Sequence, residues 1–284
     1  MPNLKDIRNR IASVSSTMQI TSAMKMVSAA KLKKAQDAIT AMRPYANKLT
    51  DLLQNLSATM DSDHGSHFTQ QRPVKKMLVV VITSNRGLCG AFNSNVIKAS
   101  LTPAEQNSDA QVDYLAIGKK ANDAFSKKHK VVSNHSKVFD DLTFANVGVI
   151  ADELMNRFVQ GEYDKIDLVY NKFKNAATQE VMVENYLPLV PAEGVKVESD
   201  YIFEPNKGEI VSHLIPKALK TQLYKAIRDS FASEHGARMT AMHKATDNAT
   251  ELRNQLKLTY NKARQAAITN EILEIVGGAE ALNG

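Results

Sequence analysis

The sequence predicts an α/β fold: a long antiparallel coiled coil of N- and C-terminal helices plus a small α/β domain with a mostly parallel sheet. Three observations predict it. The N-terminal stretch repeats apolar residues in heptads, the C-terminal stretch is almost free of helix breakers, and the middle alternates short apolar runs with helical segments. We expect the two helices over 1–57 and 212–284, and the α/β domain over 76–190.

The N-terminal helix is predicted from a seam of apolar residues between Leu4 and Leu56, at alternating steps of three and four. Only three seam positions are polar, and they follow one another: Thr21, Lys25 and Ser28. Because Met24, Met26 and Val27 are apolar at this point, we expect the seam to rotate or loosen for two turns and then resume.

A proline interrupts the same helical pattern at Pro44. Proline removes one backbone hydrogen bond and can kink a helix. We therefore expect a continuous helix with a bend near residues 40–44.

The middle of the chain alternates predicted strands with predicted helices, which favours a mostly parallel sheet. The predicted strands are Met77–Thr83, Val112–Ile117, Lys130–Ser133, Ile166–Phe173 and Val181–Leu189. The predicted helices are Phe92–Gln106, Lys119–Lys128 and Thr143–Gly161. Only the short segment NAATQ separates the last two strands, so we expect a hairpin that places an antiparallel strand at one edge.

The segment TSNRGLCGAFN, residues 83–93, follows the first predicted strand and is called the glycine loop below. It matches neither GxGxxG, nor GxxxxGK[ST], nor GxSxG. Arg86 and the loop amides could hold an anion near a helix start. The alternative is a strand-to-helix turn that needs glycine backbones, and we favour this alternative.

The C-terminal helix is predicted to begin at Pro216 and to stop at Gly277-Gly278, with no proline between Lys217 and Val276. Its seam is predicted at Met239, Met242, Ala245, Ala249, Leu252, Leu256, Tyr260, Ala263 and Ala267. The last apolar residues, from Ile268 to Val276, cover more than one narrow seam. Two interpretations stay open: burial against the N-terminal helix, or a projecting surface that needs another protein around it.

Composition narrows the class of protein without deciding its function. The formal charge is +6 and the chain has one cysteine, which excludes an internal disulfide and a zinc site built on several cysteines. Both ends are basic and the middle is slightly acidic, so nucleic acid, anionic lipid or an acidic protein surface could each be a partner. No apolar run is long enough to span a membrane.

Four sets of motifs in this order resemble the gamma subunits of F-type ATP synthase, over essentially the whole chain. They are IRNRIASVSSTMQITSAMKMVSAAKLKKAQ with RPYA, SNRGLCGAFN, YNKFKN, and ATDNATELRNQLKLTYNKARQAAITNEILEIVGGAEAL. The family is similar in architecture to the fold predicted above, with two long antiparallel helices and a small α/β domain.

The resemblance implies a non-catalytic rotor shaft that couples ion-driven ring rotation to conformational change in the catalytic beta subunits. It implies as partners the alpha and beta subunits of a catalytic hexamer, the epsilon subunit and the membrane ring of c subunits. It also implies a peripheral position on the cytoplasmic face of a bacterial inner membrane. We expect no catalytic residue, no cofactor, no metal, no nucleic acid and no direct membrane span for this chain.

The resemblance also implies the residues that contact partner subunits. They are Met24, Lys25, Arg238, Gln265, Thr269, Ile272, Ile275 and Val276. From the residues alone, Met24 reads as a core methionine, and Arg238 and Gln265 read as parts of a solvated helix face.

Three other functions stay open from the residues alone. A nucleotide-dependent enzyme built on the glycine loop would bind ATP or NAD directly. A basic coiled-coil protein that binds nucleic acid would show salt-dependent binding, although its basic helices lack interleaved aromatic residues. A generic coiled-coil adaptor is excluded only by the family resemblance.

Overall fold

The structure is a computed structural model that describes residues 3–58, 67–107, 109–189 and 207–283. The chain divides into two compact units. Unit 1 consists of residues 1–28 and 239–284, and unit 2 consists of residues 29–238. Unit 1 is a pair of helical segments, whereas unit 2 contains a β-sheet with helices packed on it.

Two long helices begin and end the described chain: α1, Leu4–Ala58, and α6, Lys207–Asn283. Helix α1 continues through Pro44, as predicted. The predicted start of α6 is wrong, because Pro216 lies inside the helix rather than at its first turn. Near this proline the helix buries Ile215, Leu219 and Leu223 in the core of unit 2, and this burial offsets the lost backbone hydrogen bond.

The predicted stop at Gly277-Gly278 is also wrong, because α6 continues to Asn283. A glycine ends a helix when it adopts the left-handed conformation, and neither of these two does so. The following residues Ala279 to Leu282 are good helix formers, which favours continuation of the helix.

Unit 2 is built on a five-stranded sheet with strand order β3-β2-β1-β4-β5. The strands are β1 Lys76–Ile82, β2 Gln111–Ile117, β3 Val131–Asn134, β4 Lys165–Phe173 and β5 Gln179–Leu187. Strand β1 pairs in parallel with β2 and β4, and β2 pairs in parallel with β3. The β4–β5 hairpin is antiparallel and puts β5 at the edge, which confirms the predicted topology.

Among the described residues, four α-helices and one short 3-10 helix, Ser136–Phe139, connect the strands. The four α-helices are α2 Phe92–Ala99, α3 Thr102–Gln106, α4 Lys119–Phe125 and α5 Phe144–Val159. The sequence predicted one helix over Phe92–Gln106, and the structure has two. Pro103 lies in the first turn of α3, where its missing N–H costs nothing, but it could not continue α2. Thr143 caps α5 by accepting a hydrogen bond from the backbone N–H of Asn146 at 3.3 Å.

The sheet is covered on both faces, so its central strand is apolar at successive positions rather than at alternate ones. Leu78, Val80 and Ile82 of β1 pack on one side with α5 and the first part of α6. Met77, Val79 and Val81 pack on the other side with α2 and α4. All six side chains are fully buried, which explains the unbroken apolar run at the start of the sheet.

The two helical segments of unit 1 are antiparallel, as predicted. Arg8 Nη2 donates to the Tyr260 hydroxyl at 2.8 Å, and farther along α1 the Thr246 hydroxyl donates to the Thr21 hydroxyl at 2.8 Å. As the residue number rises from 8 to 21 on α1, the number of the residue beside it on α6 falls from 260 to 246. Between these contacts, Arg253 Nη1 lies 3.5 Å from Met18 Sδ.

Candidate functional site

The helix seam of unit 1 stays in register through its polar stretch. Thr21 and Ser28 are buried and Lys25 is half-buried, whereas Met26 and Val27 are exposed. Of the two predicted alternatives, a rotation of the seam is therefore wrong. Hydroxyl groups can occupy a helix seam when each has a hydrogen-bond partner, and Ser28 Oγ donates to the Met24 carbonyl at 2.8 Å.

On α6 the seam includes a charged residue that the sequence reading did not select. Leu252 was predicted in the seam but is 40% exposed, and Arg253 is half-buried in its place. The Arg253 guanidinium lies beside Met18 Sδ of α1. A heptad count alone misses this position, because it scores arginine as polar and leucine as apolar.

Unit 1 therefore exposes large apolar side chains on α1. Ile20, Met26 and Val27 are 60%, 65% and 58% exposed. Burial of each such side chain would contribute about 1.5–3 kcal/mol, so a surface of this kind favours association with another protein. The three residues are named the outer α1 residues below.

The last turns of α6 expose a second apolar group, named the terminal apolar surface below. Its members are Ile268, Ile272, Leu273, Ile275 and Val276. The least exposed is 47% accessible and Ile275 reaches 71%. Since Arg8 contacts Tyr260, only a few described α1 residues remain to pair with α6 beyond that level. Of the two interpretations left open by periodicity, the structure supports an exposed surface.

The remaining predicted contact residues of unit 1 fall on the same two segments. Met24 and Lys25 are half-buried, and Lys25 Nζ lies 3.3 Å from His243 Nδ1 across the seam. Gln265 and Thr269 are exposed on α6, one turn apart. The Thr269 hydroxyl donates to the Gln265 carbonyl at 2.9 Å, a local contact that leaves both side chains accessible.

Arg238 differs from the other predicted contact residues, because it is buried inside unit 2. It is only 7% exposed. Its Nε and Nη2 donate to the Gly87 carbonyl at 3.3 and 3.2 Å, and Nη2 also donates to the Arg86 carbonyl at 3.2 Å. Its Nη1 forms an ion pair with Glu234 Oε1 at 2.7 Å, one turn earlier on α6. The reading of Arg238 as part of a solvated face is wrong.

Two neighbours of Arg238 on α6 are buried ionisable groups. Burial raises the pKa of the Glu234 carboxyl, although the Arg238 guanidinium opposes this shift. Burial lowers the pKa of His235 to about 4, and the positive charges of Arg238 and Lys31 act in the same direction. Neither ring nitrogen of His235 has a hydrogen-bond partner among the described residues, and its ring packs edge-on against Phe231.

The glycine loop uses its polar groups to cap α4 instead of presenting a phosphate site. Asn85 Oδ1 accepts a hydrogen bond from the Lys119 N–H at 2.9 Å. The Ser84 carbonyl accepts one from the Lys120 N–H, and Thr83 Oγ1 accepts one from the Ala121 N–H. The first three backbone amides of α4 thus donate to the glycine loop, so these polar groups of the loop have a structural role. This supports the preferred reading of the loop as a strand-to-helix turn.

Backbone geometry explains two glycines in and near this loop. Gly90 has a φ of 58°, and Gly118, which precedes α4, has a φ of 117°. A Cβ on Gly118 would collide with the Thr83 carbonyl, so only glycine allows the close approach of these two segments. Leu88 also adopts a positive φ of 62° while its side chain is exposed.

Among the described residues, no cluster of three or more histidine, cysteine, aspartate or glutamate side chains could hold a metal ion. The same described part contains no helix that is both long and apolar enough to cross a membrane. Cys89 is buried, and burial raises the pKa of its thiol.

The chain is similar in sequence to ATP synthase gamma chains. A family model described as ATP synthase matches residues 3–282. The chain is 73% identical over 286 residues to the ATP synthase gamma chain of Flavobacterium johnsoniae, with 100% of both chains covered. It is 63% identical to the ATP synthase gamma chain of Christiangramia forsetii, again over the full length of both.

Solved structures with a similar fold are also ATP synthase components. A chain of the Tetrahymena thermophila mitochondrial ATP synthase central stalk and c-ring matches with a TM-score of 0.58 and 26% identity, covering 80% of this chain and 99% of that one. A chain of the Euglena gracilis mitochondrial ATP synthase assembly of OSCP, F1 and c-ring has a TM-score of 0.67 at 20% identity, covering 98% and 94%. The second likeness concerns the fold alone.

Proposed function

This chain belongs to the family of ATP synthase gamma chains, and on that premise we propose that the exposed apolar side chains of unit 1 are its contacts with the catalytic part of the enzyme. It is a non-catalytic subunit of the complex. As the rotor shaft, it couples ion-driven ring rotation to conformational change in the catalytic subunits during ATP synthesis or hydrolysis.

The observation that carries the proposal is the exposure of the terminal apolar surface on α6. Side chains as apolar as Ile272, Ile275 and Val276 are rarely left in water over successive helix turns unless another protein covers them. The occupants proposed are the alpha and beta subunits, which would surround these turns. Gln265 lies exposed just before this surface and Thr269 lies exposed within its first turn, and both would supply polar contacts.

A second contact region is proposed on α1. The outer α1 residues are exposed around Met24 and Lys25, the two positions on this helix that the family resemblance selects. Helix α1 thus carries apolar groups that a surrounding subunit could bury at some orientations of the shaft and not at others. Such differential contact is the physical requirement for a shaft that shifts catalytic sites between states of different nucleotide affinity.

We propose unit 2 as the part that meets the epsilon subunit and the ring of c subunits. Its support is the presence of exposed apolar side chains on this unit, at Leu88, Val149 and Val183. We also propose a peripheral position on the cytoplasmic face of a bacterial inner membrane, a proposal supported by the bacterial origin of the similar gamma chains.

The proposal is tested by removing the apolar character of the terminal surface. The variant Ile272→Ser, Ile275→Ser, Val276→Ser is mixed with purified alpha and beta subunits, and the stoichiometry, affinity and ATPase rate of the complex are measured. We expect one copy per three alpha and three beta subunits for the unchanged chain. For the variant we expect an affinity at least about tenfold weaker, because three partly buried side chains are lost.

The matched control changes polar residues on the same turns. Glu271→Gln with Glu274→Gln alters two exposed carboxylates and leaves the apolar side chains in place. We expect near-normal assembly for this control. Equal affinity and equal ATPase rate for the serine variant and the unchanged chain would contradict the proposal.

A further inference from the structure

Helix α6 lies in the crevice of unit 2 where α/β proteins commonly bind their ligands. From β1 the chain adds β2 and then β3 toward one edge of the sheet, and it then adds β4 on the other side of β1. The strand order therefore reverses between β1 and β4. Ligands of open α/β sheets bind outside the carboxyl ends of the strands at such a point. In this protein the α6 residues from Ser233 to Arg238 contact the segments that follow both strands.

Three contacts hold this part of α6. Ser233 Oγ donates to the Asn171 carbonyl near the end of β4, at 3.1 Å. Gly236 lies so close to the β4–β5 turn that an added Cβ would come within 3.1 Å of the Ala176 carbonyl. Arg238 makes the third contact, with the glycine loop after β1.

The Arg238 contact uses all three nitrogens of the guanidinium. Two of them reach the carbonyls of Arg86 and Gly87, and the third is held by the Glu234 carboxylate. Arginine is suited to this arrangement because its planar fork has several fixed donors, whereas lysine offers a single ammonium. Glu234 therefore orients the guanidinium toward the loop carbonyls.

The acceptor loop is itself held in place. Ser84 Oγ donates to the Arg86 carbonyl, Asn93 Nδ2 donates to Ser84 Oγ at 2.8 Å, and Asn85 caps α4. Of the two carbonyls that receive Arg238, that of Arg86 is therefore also held by a side chain of the loop itself. A rigid donor that meets rigid acceptors resists sliding or rotation of α6 against the loop.

We propose that Arg238 is a positioning residue that locks α6 to the glycine loop, so that rotation of the α/β domain is transmitted to α6 at this contact. The inference rests on the proposed rotor function and makes it more specific. It also assigns Arg238 to a contact within the chain, in place of the contact with a partner subunit that the family resemblance implies. Glu234 acts through Arg238 by orienting it.

The experiment uses the intact ATP synthase reconstituted in phospholipid vesicles, with Arg238→Ala, Arg238→Lys and Glu234→Gln in this chain. ATP-driven proton pumping and ATP hydrolysis are measured on the same vesicles. We expect the ratio of pumping to hydrolysis to fall several-fold in Arg238→Ala and less in Arg238→Lys, which keeps the charge and loses the fork. Lys244→Ala, an exposed basic position two turns later on α6, is the matched control and should keep the ratio unchanged.

Hydrogen exchange of the full chain separates this proposal from the rotor function itself. In Arg238→Ala, backbone amides of residues 84–91 should exchange at least about tenfold faster, since hydrogen bonds from a charged donor are lost. Faster loop exchange with an unchanged pumping ratio would refute the transmission role. Unchanged loop exchange would refute the lock, even for a variant that fails to assemble. If loop exchange is unchanged and the variant binds alpha and beta subunits more weakly, Arg238 contacts a partner subunit, as the family resemblance implies.

Discussion

The two units of this chain use apolar residues in opposite ways. In unit 2 the central strand β1 has six fully buried side chains from Met77 to Ile82, enclosed by helices on both faces. In unit 1 the seam admits Thr21, Ser28 and Arg253, while Ile275 and other large apolar side chains remain in solvent. The core of unit 2 is closed by residues of the same chain, whereas unit 1 has the composition of a part that another protein completes.

This difference separates stability from function within one chain. Side chains that hold unit 2 together have no access to partners, and those available to partners in unit 1 contribute little to its own folding. A substitution in the core of unit 2 should therefore lower the free energy of unfolding, and one among the exposed apolar residues of unit 1 should weaken assembly of the enzyme.

The largest expected effect is a core truncation in unit 2. Phe158 of α5 is fully buried, and Phe158→Ala should lower the free energy of unfolding by about 3–5 kcal/mol. Ile275→Ala is the counterpart in unit 1 and should change it by less than about 0.5 kcal/mol. Urea unfolding followed by circular dichroism compares the two, and a similar loss in both would contradict the division between the units.

A pair of glycine substitutions tests the same contrast in the backbone. Gly118→Ala would force a Cβ into the Thr83 carbonyl at a positive φ and should cost about 3 kcal/mol. Gly277 has open space around it within α6, so Gly277→Ala should stabilise the helix by about 1 kcal/mol. Thermal unfolding of both variants gives the signs, and equal shifts would show that the described environment of Gly118 is wrong.

The pH dependence of stability tests the buried histidine of unit 2. Its pKa of about 4 lies below the ordinary value of 6.5, so between these values the unfolded chain binds a proton that the folded chain does not. Stability should therefore fall as the pH drops from 6.5 to 4, by roughly 3 kcal/mol at most. In His235→Phe this contribution should disappear while the contact with Phe231 is kept.

The measurement is urea unfolding of both proteins at several pH values between 4 and 7. The difference between the two unfolding free energies removes the contributions of all other groups. A difference that does not change with pH would contradict burial of His235 in its neutral form.

The smallest effect is expected in the polar seam of unit 1. The hydroxyls of Thr21 and Thr246 bond each other and also a carbonyl of their own helix, and changing both residues to valine replaces these part-buried polar contacts by an apolar contact of similar shape. The net change should stay within about 1 kcal/mol. A double-mutant cycle with both single variants measures the coupling, and a coupling of several kcal/mol would mean that this seam is as specific as the core of unit 2.

The sheet was largely predictable from the sequence, because strand signals are local. Each of the five strands begins and ends within two residues of its predicted position, and the NAATQ turn identified the antiparallel edge strand. The helix ends were less predictable. Pro216 favours the first turn of a helix, but burial of neighbouring side chains outweighs this preference. Gly277 favours a helix end, but the good helix formers after it outweigh this preference.

The contact surfaces were only partly predictable. Periodicity identified the apolar turns from Ile268 to Val276, but it could not decide whether they are buried, since that depends on where α1 begins relative to α6. Arg238 was selected by family resemblance, yet its partners lie about 150 residues away in the glycine loop. No local pattern reports such a contact.

Accessibility of a single cysteine measures most directly whether partner subunits cover unit 1. Cys89, the one native cysteine, is 1% exposed and should stay unlabelled by maleimide. The test variant is Ile275→Cys, and the control is Val149→Cys at an exposed position of unit 2. The rate of maleimide labelling is measured for each variant. We expect both to label rapidly in the free chain. After assembly with alpha and beta subunits alone, labelling should slow at least about tenfold in Ile275→Cys and stay unchanged in Val149→Cys. Equal labelling of Ile275→Cys in the free and assembled states would contradict the proposed role of this surface.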